Sequence, residues 1–159
     1  MEKFTAVFLS QITFLWGDPK VYQWDSSFET GHEKIDIQHK QLFAAVSSLM
    51  ESSASGKGDA AILETLDFMT DYVTKHFADE EQLQIDCNYP DYPHHKKLHD
   101  EFKAVVGKLT NRVSKEGPTK DLIDIVSSTV ASWLTNHIKG DDFKMAAFVK
   151  TADSMAIQK

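Results

Sequence analysis

The chain has 159 residues, enough for one domain with a sizeable buried core. Lys and Arg number 17 against 24 Asp and Glu, and the resulting charge of −7 argues against a phosphate-binding surface and so against nucleic acid. A single cysteine, Cys87, excludes an intramolecular disulfide framework, and four prolines with seven glycines are too few for a linker-rich chain.

The most apolar stretch, Phe4 to Trp16, is interrupted by Thr5, Ser10, Gln11 and Thr13 and falls short of the roughly 20 residues of a membrane span. Phe4, Phe8, Ile12 and Leu15 recur at helical spacing. No A-x-A-like site follows before Gly17-Asp18-Pro19, so residues 1–23 read as an amphipathic arm rather than a secretory leader, and the chain as cytoplasmic. The arm is the candidate surface for a protein partner or for self-association.

From Glu33 onward the chain reads as helices separated by punctuation. Ile35, His39, Leu42, Phe43, Val46, Leu49 and Met50 trace one face of a helix ending near Glu51, before the loop SSASGKGD at Ser52 to Asp59. A second helix from Asp59, a candidate N-cap, to Cys87 puts Ile62, Leu66, Met69, Val73, His76, Glu80 and Leu83 inside. Asn88 to Pro93 breaks the pattern, because proline lacks the helical donor. The third helix, His94 to Lys115, aligns His95, Leu98, His99, Phe102, Val106, Leu109 and Val113. The fourth, Thr119 to Lys139, aligns Leu122, Val126, Val130, Trp133 and His137, with Gly140 read as its stop. A short amphipathic piece, Asp142 to Lys150, carries Phe143, Ala147 and Phe148. The predicted fold is all-α, an up-down-up-down four-helix bundle with an N-terminal arm and a short C-terminal helix.

Five of the seven histidines lie on these apolar faces: His39, His76, His95, His99 and His137. An imidazole facing a core is costly unless its ring nitrogens are satisfied, and here every helix contributes at least one. His95 and His99 are four apart and share a face, as do His76 and Glu80. Asp142 follows His137 by five residues, so a turn after Gly140 would bring it under the bundle. Five imidazoles and two carboxylates exceed one tetrahedral site and suit two metals bridged by the carboxylates. Mixed nitrogen and oxygen donors point first to iron, with manganese and zinc open, and disfavour calcium and magnesium. His32, His94, Asp79, Glu81 and Asp141 read as outward-facing, and Cys87 as a buried, inert thiol.

These segments are WDSSFETGHEKIDIQH ending at His39, HFADE from His76 to Glu80, HHKKLH ending at His99, and WLTNHIKGDD from Trp133 to Asp142. Together they resemble the hemerythrin family, most closely its single-domain bacterial members, over Trp24 to Asp142. The resemblance implies a di-iron four-helix bundle over residues 24–159. Its two non-heme irons would be bridged by Glu80, Asp142 and an oxo or hydroxo group. It further implies that His95, His99 and His137 complete one six-coordinate iron. By the same resemblance His39 and His76 would hold the other, leaving one open position for dioxygen. Reversible O2 binding for storage, transport or sensing would follow, without catalysis. A di-iron redox enzyme, handling peroxide, oxygen or nitric oxide on the same site, is the alternative. Leu42, Phe77, Trp133, Leu134 and Ile138 lie within a turn of these residues and are the expected walls of an O2 pocket.

Overall fold

The computed structural model describes residues 22–56 and 59–157, and the expected arm lies outside them except for residues 22 and 23. A short 3₁₀ turn, Ser26–Phe28, precedes four helices: α1 Glu33–Ala54, α2 Asp59–Asp86, α3 Tyr92–Glu116 and α4 Lys120–His137. A π-helical turn, Ile138–Asp142, joins α4 to α5, Phe143–Ile157. The described residues form no strand, and no described helix is long and apolar enough to cross a membrane.

Each helix packs on its chain neighbours and α1 closes the ring against α4, the up-down-up-down arrangement expected of short connections. The core runs along the axis through Leu42, Val46, Leu49, Ile62, Leu66, Met69, Phe102, Val106, Ile123, Val126 and Val130. Burying each such large side chain contributes about 1.5–3 kcal/mol, which holds the helix faces together around the polar residues they carry.

The helix ends follow local chemistry. Thr119 caps α4 by accepting from the Leu122 N–H. Pro93 lies in the first turn of α3, so that helix starts at Tyr92, earlier than the sequence predicts, because a missing N–H costs nothing there. At the start of α1, the Asp36 carboxylate accepts from the Thr30 N–H, the Thr30 hydroxyl and the Gly31 N–H, with Gly31 at φ +82°. That loop carries Trp24 over the edge of α1, with its ring 6.1 Å from His39 and 5.6 Å from Phe43.

Two expectations fail at the C-terminal end. Gly140 does not stop α4: it lacks the positive φ of a helix-ending glycine, and the chain continues through the π turn into α5. Among the described side chains of α5, Met145, Ala146 and Val149 are buried, while Phe143 and Phe148 are half-buried and Ala147 is exposed. The extra residue in the π turn rotates the following face relative to an uninterrupted helical count.

Candidate metal centre

The five core-facing histidines and both carboxylates converge in the bundle. His39 comes from α1, His76 and Glu80 from α2, His95 and His99 from α3, His137 from the end of α4, and Asp142 from the π turn. None exceeds 4 % exposure. The four-residue spacing stacks His76 over Glu80 and His95 over His99 on their helix faces. The π turn does the same for His137 and Asp142, five apart, because a π turn closes i to i+5.

Each carboxylate divides its two oxygens between two groups of imidazoles. Glu80 Oε1 lies 3.6 Å from His39 Nε2 and 3.5 Å from His76 Nε2, and Asp142 Oδ2 lies 3.2 Å from His39 Nε2. On the other side, Glu80 Oε2 lies 3.3 Å from His99 Nε2 and 3.7 Å from His95 Nε2. Asp142 Oδ1 lies 3.1 Å from His137 Nε2 and 3.3 Å from His95 Nε2. Two donor sets result: Glu80, His95, His99, His137 and Asp142, and His39, His76, Glu80 and Asp142. Within each set the donor atoms lie within 4.8 Å of one another.

The geometry fits cations better than hydrogen bonds. His99 Nε2 sits 3.0 Å from both His95 Nε2 and His137 Nε2. Neighbouring donors on an octahedral ion about 2.1 Å away lie about 3.0 Å apart. His39 Nε2, His76 Nε2 and all four carboxylate oxygens are buried without a hydrogen-bond partner. Two buried carboxylates are costly unless they face positive charge, and a cation in each donor set would supply it.

The protonation pattern reflects the same crowding. Burial pushes His39 and His95 down, but contacts with Asp142 and Glu80 more than reverse it and raise each to about 9. His76 falls to about 4, because burial outweighs the Glu80 charge. Burial and mutual repulsion push Glu80 upward, yet the surrounding imidazoles, His76 foremost, hold it well below its ordinary value. Asp142 is likewise held low, burial being overcome chiefly by His137. Both carboxylates therefore remain anionic donors.

Three acids expected to face outward instead support the imidazoles from behind. Glu81 Oε1 lies 3.1 Å from His99 Nδ1, and Asp141 Oδ2 lies 3.8 Å from His137 Nδ1. Asp79 accepts a 2.6 Å hydrogen bond from the Gln38 amide, whose oxygen lies 3.1 Å from His76 Nδ1, and it also pairs with Lys34 at 2.8 Å. These acids flank Glu80 and Asp142 in the chain, and each helical residue turns about 100° from its neighbour. They stop part-way, at the rear of neighbouring imidazoles. Such partners orient a metal-binding imidazole and raise its basicity. No sequence spacing marks Gln38 as a site residue: it directly precedes His39, and nothing local links it to His76, 38 residues on. Cys87 is partly exposed rather than buried, with Sγ 3.5 Å from the Gln84 carbonyl. His94 is exposed and His32 half-buried, and neither reaches the cluster.

Of the residues expected to wall a pocket, two stack directly on donor imidazoles. Phe77 stacks flat on His99 at 3.8 Å between centroids, and half-buried Trp133 stacks on His137 at 4.2 Å and on Phe102 at 3.9 Å. Leu42, Leu134 and Ile138 are buried in the same apolar cluster.

Residues 30–149 match the hemerythrin HHE cation binding domain, a segment containing all seven converging residues. The chain belongs to the hemerythrin family. It is 36 % identical over 126 residues to a myohemerythrin of Theromyzon tessulatum, covering 79 % of this chain and 92 % of that one. To a bacteriohemerythrin of Pseudomonas aeruginosa it is 34 % identical over 119 residues, or 75 % of each chain. A crystal structure of wild-type hemerythrin superimposes with a TM-score of 0.71 at 29 % identity, covering 80 % of this chain and 96 % of the other. The chain thus shares its fold with a solved hemerythrin, and the family match spans the segment that carries its donor cluster.

Proposed function

We propose that this protein binds dioxygen reversibly at a non-heme di-iron centre held by His39, His76, Glu80, His95, His99, His137 and Asp142. One observation carries the reading: the two donor sets share both carboxylates but are unequal, one having five residues and the other four. Cations in these sets would be held by Glu80, Asp142, His95, His99 and His137 on one side and by Glu80, Asp142, His39 and His76 on the other, so the second position would have one protein donor fewer and could take a small ligand. Two irons so held would supply the two electrons that reversible O2 binding draws on.

The chain's own residues account for the rest. Glu80 and Asp142 hold the two positions together and neutralise much of their charge, since each stays ionised and presents one oxygen to either side. Glu81 and Gln38 fix imidazole orientation through Nδ1. Leu42, Phe77, Leu134 and Ile138 belong to the buried apolar cluster and Trp133 packs against it, so these five would keep water and protons away from the ligand position and slow irreversible oxidation. None of these five is an acid or base, so the pocket suits binding rather than proton-coupled turnover.

The deciding measurement is iron content together with an absorption spectrum in air and after reduction. The reading requires two irons per chain and a charge-transfer band that appears with O2 and bleaches on deoxygenation. One iron per chain, or complete oxidation on first exposure to air, would sink it.

A further inference from the structure

The rear faces of the imidazoles are not supported alike. On the five-donor side, His99 and His137 have carboxylates behind Nδ1, from Glu81 at 3.1 Å and Asp141 at 3.8 Å, while His95 Nδ1 has no hydrogen-bond partner. On the four-donor side, the Nδ1 of His39 has no hydrogen-bond partner, and His76 has the neutral amide of Gln38. The orientation of that amide is fixed from outside. A carboxylate can only accept, so Gln38 must turn its NH2 toward Asp79, leaving its oxygen toward His76. An amide oxygen in turn accepts only from a protonated Nδ1, which leaves the His76 Nε2 lone pair directed into the cluster. Gln38 is 5 % exposed and His76 1 % exposed, so water does not compete for this bond. Lys34, on the surface, anchors the far oxygen of Asp79.

We propose that Gln38, held by Asp79 and Lys34, is a positioning residue for His76. It locks the imidazole with Nε2 toward the four-donor metal position while placing no negative charge behind it. A carboxylate there would share the Nδ1 proton and make the imidazole a stronger electron donor. The neutral amide keeps the O2-binding position the less electron-rich of the two, which favours release of O2 over oxidation. This rests on the di-iron reading above.

The test compares iron-loaded full-length wild type with Gln38→Leu, Asp79→Asn and Gln38→Glu, the last made in the Asp79→Asn background so that the new carboxylate faces an amide donor and not Asp79. Three readouts are needed: iron retained against a chelator, the reduction potential, and the autoxidation rate. Gln38→Leu removes the support, so one of the two irons should be lost at about tenfold lower chelator, the usual scale for an outer partner. Gln38→Glu restores an acceptor with charge, so both irons should be retained while the potential falls and autoxidation speeds several-fold. Asp79→Asn frees the amide to turn over and should weaken the same single iron more mildly. If Gln38→Leu keeps both irons as firmly as wild type, the proposal is wrong. It is equally wrong if Leu and Glu variants lose iron alike, or if Gln38→Glu leaves potential and autoxidation unchanged. Failure of the di-iron reading itself is separable, because it would show in wild type as fewer than two irons or no O2-dependent band.

Discussion

His137 and Asp142 are five residues apart in the chain, and a π-helical turn brings His137 Nε2 to 3.1 Å from Asp142 Oδ1. In an unbroken α-helix the residue beneath His137 would be Asp141, four positions on. The turn gives both acids work on one imidazole, Asp142 at Nε2 and Asp141 behind Nδ1. π turns are uncommon and recur at functional sites, and here the extra residue sets which aspartate enters the cluster.

That register predicts opposite outcomes for two adjacent conservative substitutions. Asp142→Asn should lower iron from two per chain to one or none, because it removes an oxygen donor from both positions. Asp141→Asn should keep two irons and show weaker retention only. Metal analysis of the two variants reads the difference directly, and a reversed order would mean that the helix follows the α count.

The metal-free chain should depend on pH in a way that loading abolishes. His39 and His95 sit at about 9 in the fold against an ordinary 6.5, so their contribution is complete below 6.5 and is lost as pH rises through 9. His76, at about 4, has the opposite sign: the unfolded chain protonates it first, so stability falls as pH drops from 6.5 toward 4. Thermal melts of metal-free protein should therefore peak near pH 6.5. Loading at pH 7 should release about two protons, from His39 and His95, and fewer at pH 10. Indicator dye in weak buffer measures that release.

Leu42→Ala tests the pocket wall. Leu42 is 1 % exposed, and truncating such a side chain costs about 2–5 kcal/mol in stability through the cavity left behind. The cavity also admits water, so autoxidation should quicken while two irons remain bound. A melt, an iron assay and the decay of the O2 band in air separate these effects. An unchanged decay would remove Leu42 from the pocket.

A binding protein should not turn over. With a chemical reductant and either O2 or hydrogen peroxide in excess, consumption should not exceed the rate set by autoxidation. Sustained turnover well above it would favour the redox-enzyme alternative and point to a proton donor beyond the apolar lining.

How much of this was legible before the structure depends on the range of the interaction. The four helices and their inward faces follow from apolar spacing, because an amphipathic stripe has one way to hide its surface. His76 with Glu80, and His95 with His99, are pairs that helical geometry makes inevitable once each helix forms. That inward imidazoles in a core need partners, and that five of them with two carboxylates suit a pair of metals, is likewise local chemistry.

The tertiary structure decided what lies across helices. The Gln38 amide meets His76 because α1 and α2 pack side by side, an alignment no residue spacing encodes. Glu81 reaches His99 from the neighbouring helix for the same reason. The division of Glu80 and Asp142 oxygens between two donor sets exists only when all four helices are in place. Even Gly140, whose usual preference is to end a helix, was overruled: the packed chain carries α4 through a π turn so that Asp142 closes the site. Periodicity acts over one turn of helix, about 5.4 Å, whereas these contacts join residues tens of positions apart, and only packing selects them.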